Sequence, residues 1–220
     1  MKEILCNSAY FGVTVSLIGY GVGIMLKKKF KYAFLNPLLI SIIFVIGVVM
    51  LCGVDYESYE NSAQYLSYLL TPVCLAVPLY QQMTLLKKNL AAVACGILAG
   101  VLASLGSVLL LAFLFGLEHD VYVTLLPKSI TTAIGMGVSE ELGGYVTITV
   151  AVIVITGVLG NIFAELICKI FRINEPIAKG IAIGSASHAI GTAKAMEMGE
   201  IEGAMSSLSI AVAGILTVFG

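Results

Sequence analysis

The chain has 220 residues, of which 59% are apolar and only 11% charged, with a mean hydropathy of +1.03 and a formal net charge of −1. A soluble domain of this length carries about 25% charged residues and shows a polar stripe on each helix. Composition therefore excludes an ordinary soluble fold and predicts an all-α integral membrane protein. The net charge selects no partner, and nothing in it calls for nucleic acid.

The first apolar run, residues 4–26, is too long for a signal-peptide core and is followed by Lys27, Lys28, Lys29 and Lys31. It reads as a retained anchor with no removable signal peptide. Further basic loops hold Lys87 with Lys88 and Lys169 with Arg172. Acidic loops without a basic residue lie between and beyond them: Asp55, Glu57 and Glu60, then Glu118 and Asp120, then Glu197, Glu200 and Glu202. Cytoplasmic loops collect Lys and Arg, so this alternation predicts an amino terminus outside and a carboxyl terminus inside. About seven spans follow, near 4–26, 35–53, 65–82, 91–115, 145–168, 177–197 and 204–220. The whole of 1–220 reads as one polytopic domain: first span and basic loop 1–34, a first triplet 35–115, a re-entrant segment 121–144 and a second triplet 145–220.

The two triplets run in opposite senses, which makes them a candidate inverted repeat of three-helix units. Each has an unusual middle member. The first carries Pro72 and Pro78 in YLLTPVCLAVPLY, and the second carries GIAIGSASHAIGTAKA, Gly180 to Ala195. Proline removes a ladder hydrogen bond and glycine weakens a helix, so both are expected to be interrupted. Paired interruptions point to a transporter site near the midplane, where Pro72 to Pro78 would meet Gly184 to Gly191.

Between the triplets, VYVTLLPKSITTAIGMGVSEELGG cannot cross without breaking the charge pattern. It is expected to be re-entrant, with an amphipathic surface helix as the other reading. Lys128 opens its polar run KSITT, where an ammonium beside hydroxyls and a helix start would attract a carboxylate.

In the last triplet Gly180, Gly184, His188, Gly191 and Ala195 recur at helical spacing. Close packing and function are equally open for the glycines, Gly184 and Gly191 included. His188 has Ser185, Ser187 and Thr192 as neighbours and reads either as a site residue or as a buried histidine satisfied by a hydroxyl. Lys194 and Glu197 are expected to form an interfacial pair, and so are Glu165 and Lys169. Cys6, Cys52, Cys74, Cys95 and Cys168 fall singly in apolar runs and are assigned to packing. No metal, cofactor or enzymatic motif is present in the sequence.

The runs PKSITTAIGMGVSEELGG and PIAKGIAIGSASHAIGTAKAMEMGEIEGAMSSL, with NPLL at Asn36 to Leu39 and AVPLY at Ala76 to Tyr80, resemble the LrgB/CidB family of bacterial membrane proteins. The plastid glycolate/glycerate translocator is related to that family. Ala133 stands where the family often has proline, and the chain stops at Gly220, where relatives tend to continue. The resemblance implies a bacterial cytoplasmic membrane and two functions: antiholin-like control of murein hydrolases with a smaller LrgA/CidA-type partner, or movement of small monocarboxylates. The polar groups held at depth favour an ion-coupled carrier of 2-oxo or 2-hydroxy monocarboxylates. On that reading Ser185, Ser187 and Thr192 hold the carboxylate, His188 carries the coupling proton, and Lys128, Thr131 and Thr132 complete the site. A homo-oligomer is open.

Overall fold

The computed structural model describes residue 8, residues 10–30 and residues 37–219, apart from the side chains of residues 38 and 67–75. Every element among them is helical: α1 (Phe11–Phe30), α2 (Pro37–Cys52), α3 (Tyr56–Gln81), α4 (Met83–Lys88), α5 (Leu90–Phe115), α6 (His119–Leu125), α7 (Thr132–Glu141), α8 (Val146–Ile170), α9 (Pro176–Met198) and α10 (Glu200–Phe219). Among the described residues α1, α5, α8 and α10 are long and apolar enough to cross a membrane, and Leu39–Cys52 is a shorter apolar helix. The chain divides into two compact units, Met1–Cys74 and Leu75–Gly220.

In the first unit, glycine lets backbones approach. A Cβ at Gly23 would lie 2.5 Å from the Pro37 carbonyl oxygen, and one at Gly19 3.1 Å from the Ser41 hydroxyl, so α1 and α2 run antiparallel. Gly12 N–H donates to Ser62 Oγ at 2.9 Å, and Ser16 Oγ lies 2.8 Å from Tyr59 Oη, which fixes α3 against the start of α1. The helix α3 begins nine residues before the expected span at 65, because Glu57 and Glu60 lie in its opening turns. It runs as one helix through Pro72 and Pro78, which corrects the expectation of an interruption there. The side chain of Pro72, and with it the expected meeting of Pro72 to Pro78 with Gly184 to Gly191, lies outside the described residues.

The second unit is built on α8. Thr124 accepts the Tyr145 N–H at 2.8 Å, and Thr149 Oγ1 donates to the Thr124 carbonyl at 2.9 Å, so α6 runs beside the first turns of α8. The chain then turns through residues 126–131 and comes back. Ile153 packs on Gly135, and Thr149 Oγ1 meets Ser139 Oγ at 2.7 Å. Residues 119–141 therefore form a helical hairpin that starts and ends at the amino-terminal end of α8, as a re-entrant segment requires. At its mouth the Tyr145 hydroxyl donates to Asp120 Oδ2 at 2.6 Å, which holds the carboxyl below its usual range and pushes the phenol up.

The expected crossing at 177–197 is different. Ser187 (φ −134°, ψ 15°) and His188 (φ 40°, ψ −145°) are non-helical, and the chain reverses there. Ala164, Ile183 and Ala195 form one buried cluster, and a Cβ at Gly191 would lie 3.2 Å from the Ile183 side chain. Residues twelve apart on a straight helix stand about 18 Å apart, so residues 176–186 and 189–198 are two antiparallel arms. This corrects the reading of 177–197 as one span, and the second triplet is not three crossings. Its partner contacts agree. Gly180 and Gly184 face Glu202 and Ser206 of α10 in parallel, while Met196 and Thr192 face Gly203 and Ser206 in antiparallel.

The two hairpins thus enter from opposite ends of α8. An arm of about ten residues rises about 15 Å, half of a hydrocarbon core about 30 Å thick.

Candidate functional site at the hairpin tips

Both tips reach the middle of the long helices. On α8, Ile153 meets the first hairpin at Gly135, and Gly157 and Gly160 meet the second at His188 and Ser187. On α5, Ser104 bonds the first tip, and Gly100 faces Ser185 close to the second. On α10, Ser206 lies 2.6 Å from Thr192, and a Cβ at Gly214 would lie 2.8 Å from Ile134. Three helices each hold both tips about one or two turns apart.

The tip of α9 gathers Ser185, Ser187, His188 and Thr192, all buried. A positive φ at a non-glycine residue is strained and calls for support from its surroundings. Here α8 supplies it by omission. A Cβ at Gly157 would lie 2.7 Å from the imidazole, and one at Gly160 would overlap the Ser187 side chain. His188 Nε2 lies 2.9 Å from the Ile153 carbonyl oxygen, which can only accept, so Nε2 carries the proton and Nδ1 the lone pair. The partner is a backbone carbonyl and not one of the neighbouring hydroxyls. Ser185 Oγ donates to the Ile181 carbonyl at 2.8 Å, Thr192 Oγ1 to the His188 carbonyl at 3.0 Å, and Asn161 Nδ2 to the Ile190 carbonyl at 2.6 Å. Gly184 abuts Ser206 and Ser209 of α10, and Gly191 abuts the opposite arm.

The first tip holds Lys128, Thr131 and Thr132. Lys128 Nζ donates to Ser129 Oγ at 2.9 Å and to Ser104 Oγ at 3.5 Å, and Ser104 Oγ donates to Ser129 Oγ at 2.9 Å. The helix α7 starts at Thr132, and Thr131 occupies its cap position without a side-chain bond to the helix. No hydrogen bond among the described residues joins this group to the α9 group. Ile153, fully buried, stands between them through its carbonyl on His188 and its side chain on Gly135.

Ser104, Ser129, Asn161, Gly157 and Gly160 were not singled out as site residues from the sequence. Ser129 lies inside the KSITT run, which marked the segment. Ser104 follows Gly96 and Gly100 at four-residue steps, a spacing that signals close packing as readily as a site. Lys194 pairs with Glu197 at 3.3 Å, as expected, and with Glu165 at 2.6 Å. Glu165 therefore does not turn to Lys169. The returning arm of α9 runs alongside α8 in the same direction and brings Lys194 level with it.

A cavity of about 560 Å³ lies between α5 and the first arm of α9, from Asn89 and Glu175 at the carboxyl-terminal end of α8 to Gly100 and Ser185.

The family described as the LrgB-like family matches residues 16–220. The chain is 38% identical over 207 residues to the holin-like protein CidB of Staphylococcus aureus strain Mu50, covering 93% of this chain and 90% of that protein. It is 38% identical over 219 residues to the holin-like protein CidB of Staphylococcus epidermidis strain RP62A, covering 99% and 95%. It is also 38% identical over 212 residues to the antiholin-like protein LrgB of Bacillus mycoides strain KBAB4, covering 95% and 92%. No solved structure matches the chain.

Proposed function

The chain belongs to the LrgB-like family, and from that premise we propose that it is a secondary carrier of small 2-oxo or 2-hydroxy monocarboxylates in the bacterial cytoplasmic membrane. The observation that carries this reading is the pair of hairpins that enter from opposite ends and place their breaks at mid-depth on α5, α8 and α10. Broken helices at the midplane build ion and substrate sites, and alternating access needs a site that either face can reach. The substrate class rests on the likeness to the plastid glycolate/glycerate translocator, together with a lysine at the first tip. On this reading Lys128, Thr131 and Thr132 face the substrate from one hairpin, and Ser185, Ser187 and Thr192 from the other. His188 carries the coupling proton through its Nδ1 lone pair while Nε2–H stays on the Ile153 carbonyl.

A second reading has its own support. The relatives' names, holin-like and antiholin-like, favour a membrane regulator of the holin type, and the family resemblance would make its target murein hydrolase activity and lysis and its partner a smaller LrgA/CidA-type protein. On the carrier reading a lysis phenotype would follow indirectly from altered carboxylate flux, so such a phenotype does not separate the two.

Uptake of labelled pyruvate and glycolate into proteoliposomes, with and without a pH gradient, does separate them. Saturable uptake by the purified chain supports the carrier. Unselective dye leakage without saturable uptake supports a pore-forming or pore-regulating protein and ends the carrier reading.

A further inference from the structure

Lys128 is a half-buried ammonium at the tip of a hairpin, level with the centre of α5, and no carboxylate among the described residues pairs with it. Its described partners are two neutral hydroxyls, Ser129 Oγ at 2.9 Å and Ser104 Oγ at 3.5 Å. Lys194, on the returning arm of α9, by contrast has two glutamates. A charge held at such depth without a counter-ion is costly, and proteins relieve that cost by pairing it. The remaining donors at this tip have the same polarity. The helix α7 begins at Thr132, its first N–H groups receive no bond from the Thr131 side chain, and a helix amino terminus favours an anion.

The cavity supplies an approach. Its α5 wall is Asn89, Ala92, Gly96 and Gly100, a stripe at three- and four-residue steps whose next member is Ser104. One helical turn, about 5.4 Å, separates the deep end of the cavity at Gly100 and Ser185 from the hydroxyl that bonds Ser129.

We propose that Lys128, with the hydroxyls of Ser104 and Ser129, holds the substrate's carboxylate, and that the cavity between α5 and α9 is the route by which that carboxylate arrives from the end where Asn89 and Glu175 lie. The assignment rests on the carrier reading. It gives Ser104 and Ser129 a binding role and moves the carboxylate from the α9 tip, where Ser185 and Thr192 donate to backbone carbonyls of their own helix, to the α6–α7 tip, where Ser104 donates only to the Ser129 hydroxyl, which accepts from Ser104 and Lys128 and has its own proton to give.

The test is glycolate uptake by the full chain in proteoliposomes, with glycolamide, the uncharged amide of the same size, as competitor. Wild type should prefer the acid. Lys128→Met should raise KM for glycolate by about tenfold or more and erase the acid-over-amide preference, since a charge-assisted bond is what it removes. Lys128→Arg should restore part of both. Ser104→Ala should raise KM several-fold at an unchanged maximal rate, and it carries the test should Lys128→Met fail to reach the membrane. Gly96→Leu, whose Cβ fits at 3.4 Å from Ile181 but whose branches fill the cavity, should slow uptake and keep the preference. Wild-type KM and preference in Lys128→Met, or in Ser104→Ala where that variant stands in, would overturn the assignment and leave the carrier standing. Absence of saturable uptake in wild type would bring down the carrier reading and this assignment with it.

Discussion

At His188 a strained backbone, a buried ring and a fixed tautomer coincide. The φ of 40° is maintained because Gly157 leaves room for the ring and the Ile153 carbonyl takes its Nε2 proton. Glutamine keeps a donor for that carbonyl and roughly the same volume but cannot titrate. His188→Gln should therefore preserve substrate exchange and abolish pH-driven accumulation, as read by counterflow and by gradient-driven uptake in the same vesicles. Accumulation at the wild-type level would remove the proton role. The glycines opposite make a second, purely structural statement. Gly160→Val should destabilise by about 1–3 kcal/mol, the cost of overpacking a filled site. Gly106, with nothing within 4 Å of its Cβ, should accept alanine with a gain of about 0.5–1 kcal/mol in the same thermal or denaturant titration. Much of this site was legible because polar residues are rare at depth, so Lys128, Ser187 and His188 stood out by type alone. The pairing of each with a helix glycine or a distant serine was not, since Gly157, Gly160 and Ser104 carry no chemistry until a neighbour is known.

Between residue and molecule, the element that most changes the picture is α9. Gly180, Gly184, His188, Gly191 and Ala195 keep helical spacing across the break, and a run of 23 residues suits one crossing as well as two half-crossings. No proline marks the reversal, and two residues with non-helical angles are too few to read from composition. The interruption was therefore legible from the small and polar residues, whereas the change of direction was not. For 121–144 the charge pattern forbade a crossing, so reversal followed from the sequence. Cross-linking distinguishes a hairpin from a straight α9. In a background with the native cysteines replaced, Ala164→Cys should oxidise to a disulfide with Ala195→Cys and, in a separate double mutant, with Ile183→Cys, because all three residues share one cluster. Disulfides need Cα atoms within about 7 Å, and a straight helix would hold 183 and 195 about 18 Å apart. Formation of only one of the two cross-links would restore the single crossing.

For the second unit as a whole, the hairpins change which loops share a face. The carboxyl-terminal end of α8 gathers Lys87 and Lys88 before α5, Lys169 and Arg172 after α8, and also Glu200 and Glu202, because α9 returns to the end from which it left. The opposite end gathers Glu118, Asp120, Glu140 and Glu141 and receives the end of α10. Alternation of basic and acidic loops put the glutamates after α9 outside and the carboxyl terminus inside. Acidic residues weigh little in orientation, whereas Lys and Arg in short loops decide it, so we predict that the face with Lys87, Lys88, Lys169 and Arg172 is the cytoplasmic one and that the end of α10 lies on the opposite side. Single cysteines in intact cells make this measurable. Cysteine in place of Glu118 or Val218 should react with an impermeant thiol reagent, and cysteine in place of Lys88 or Glu200 should react only after the membrane is permeabilised. Labelling of the Glu200 position together with Glu118 would mean that α9 crosses after all, and the two hairpin tips would then no longer face each other from opposite sides of one membrane-centred site.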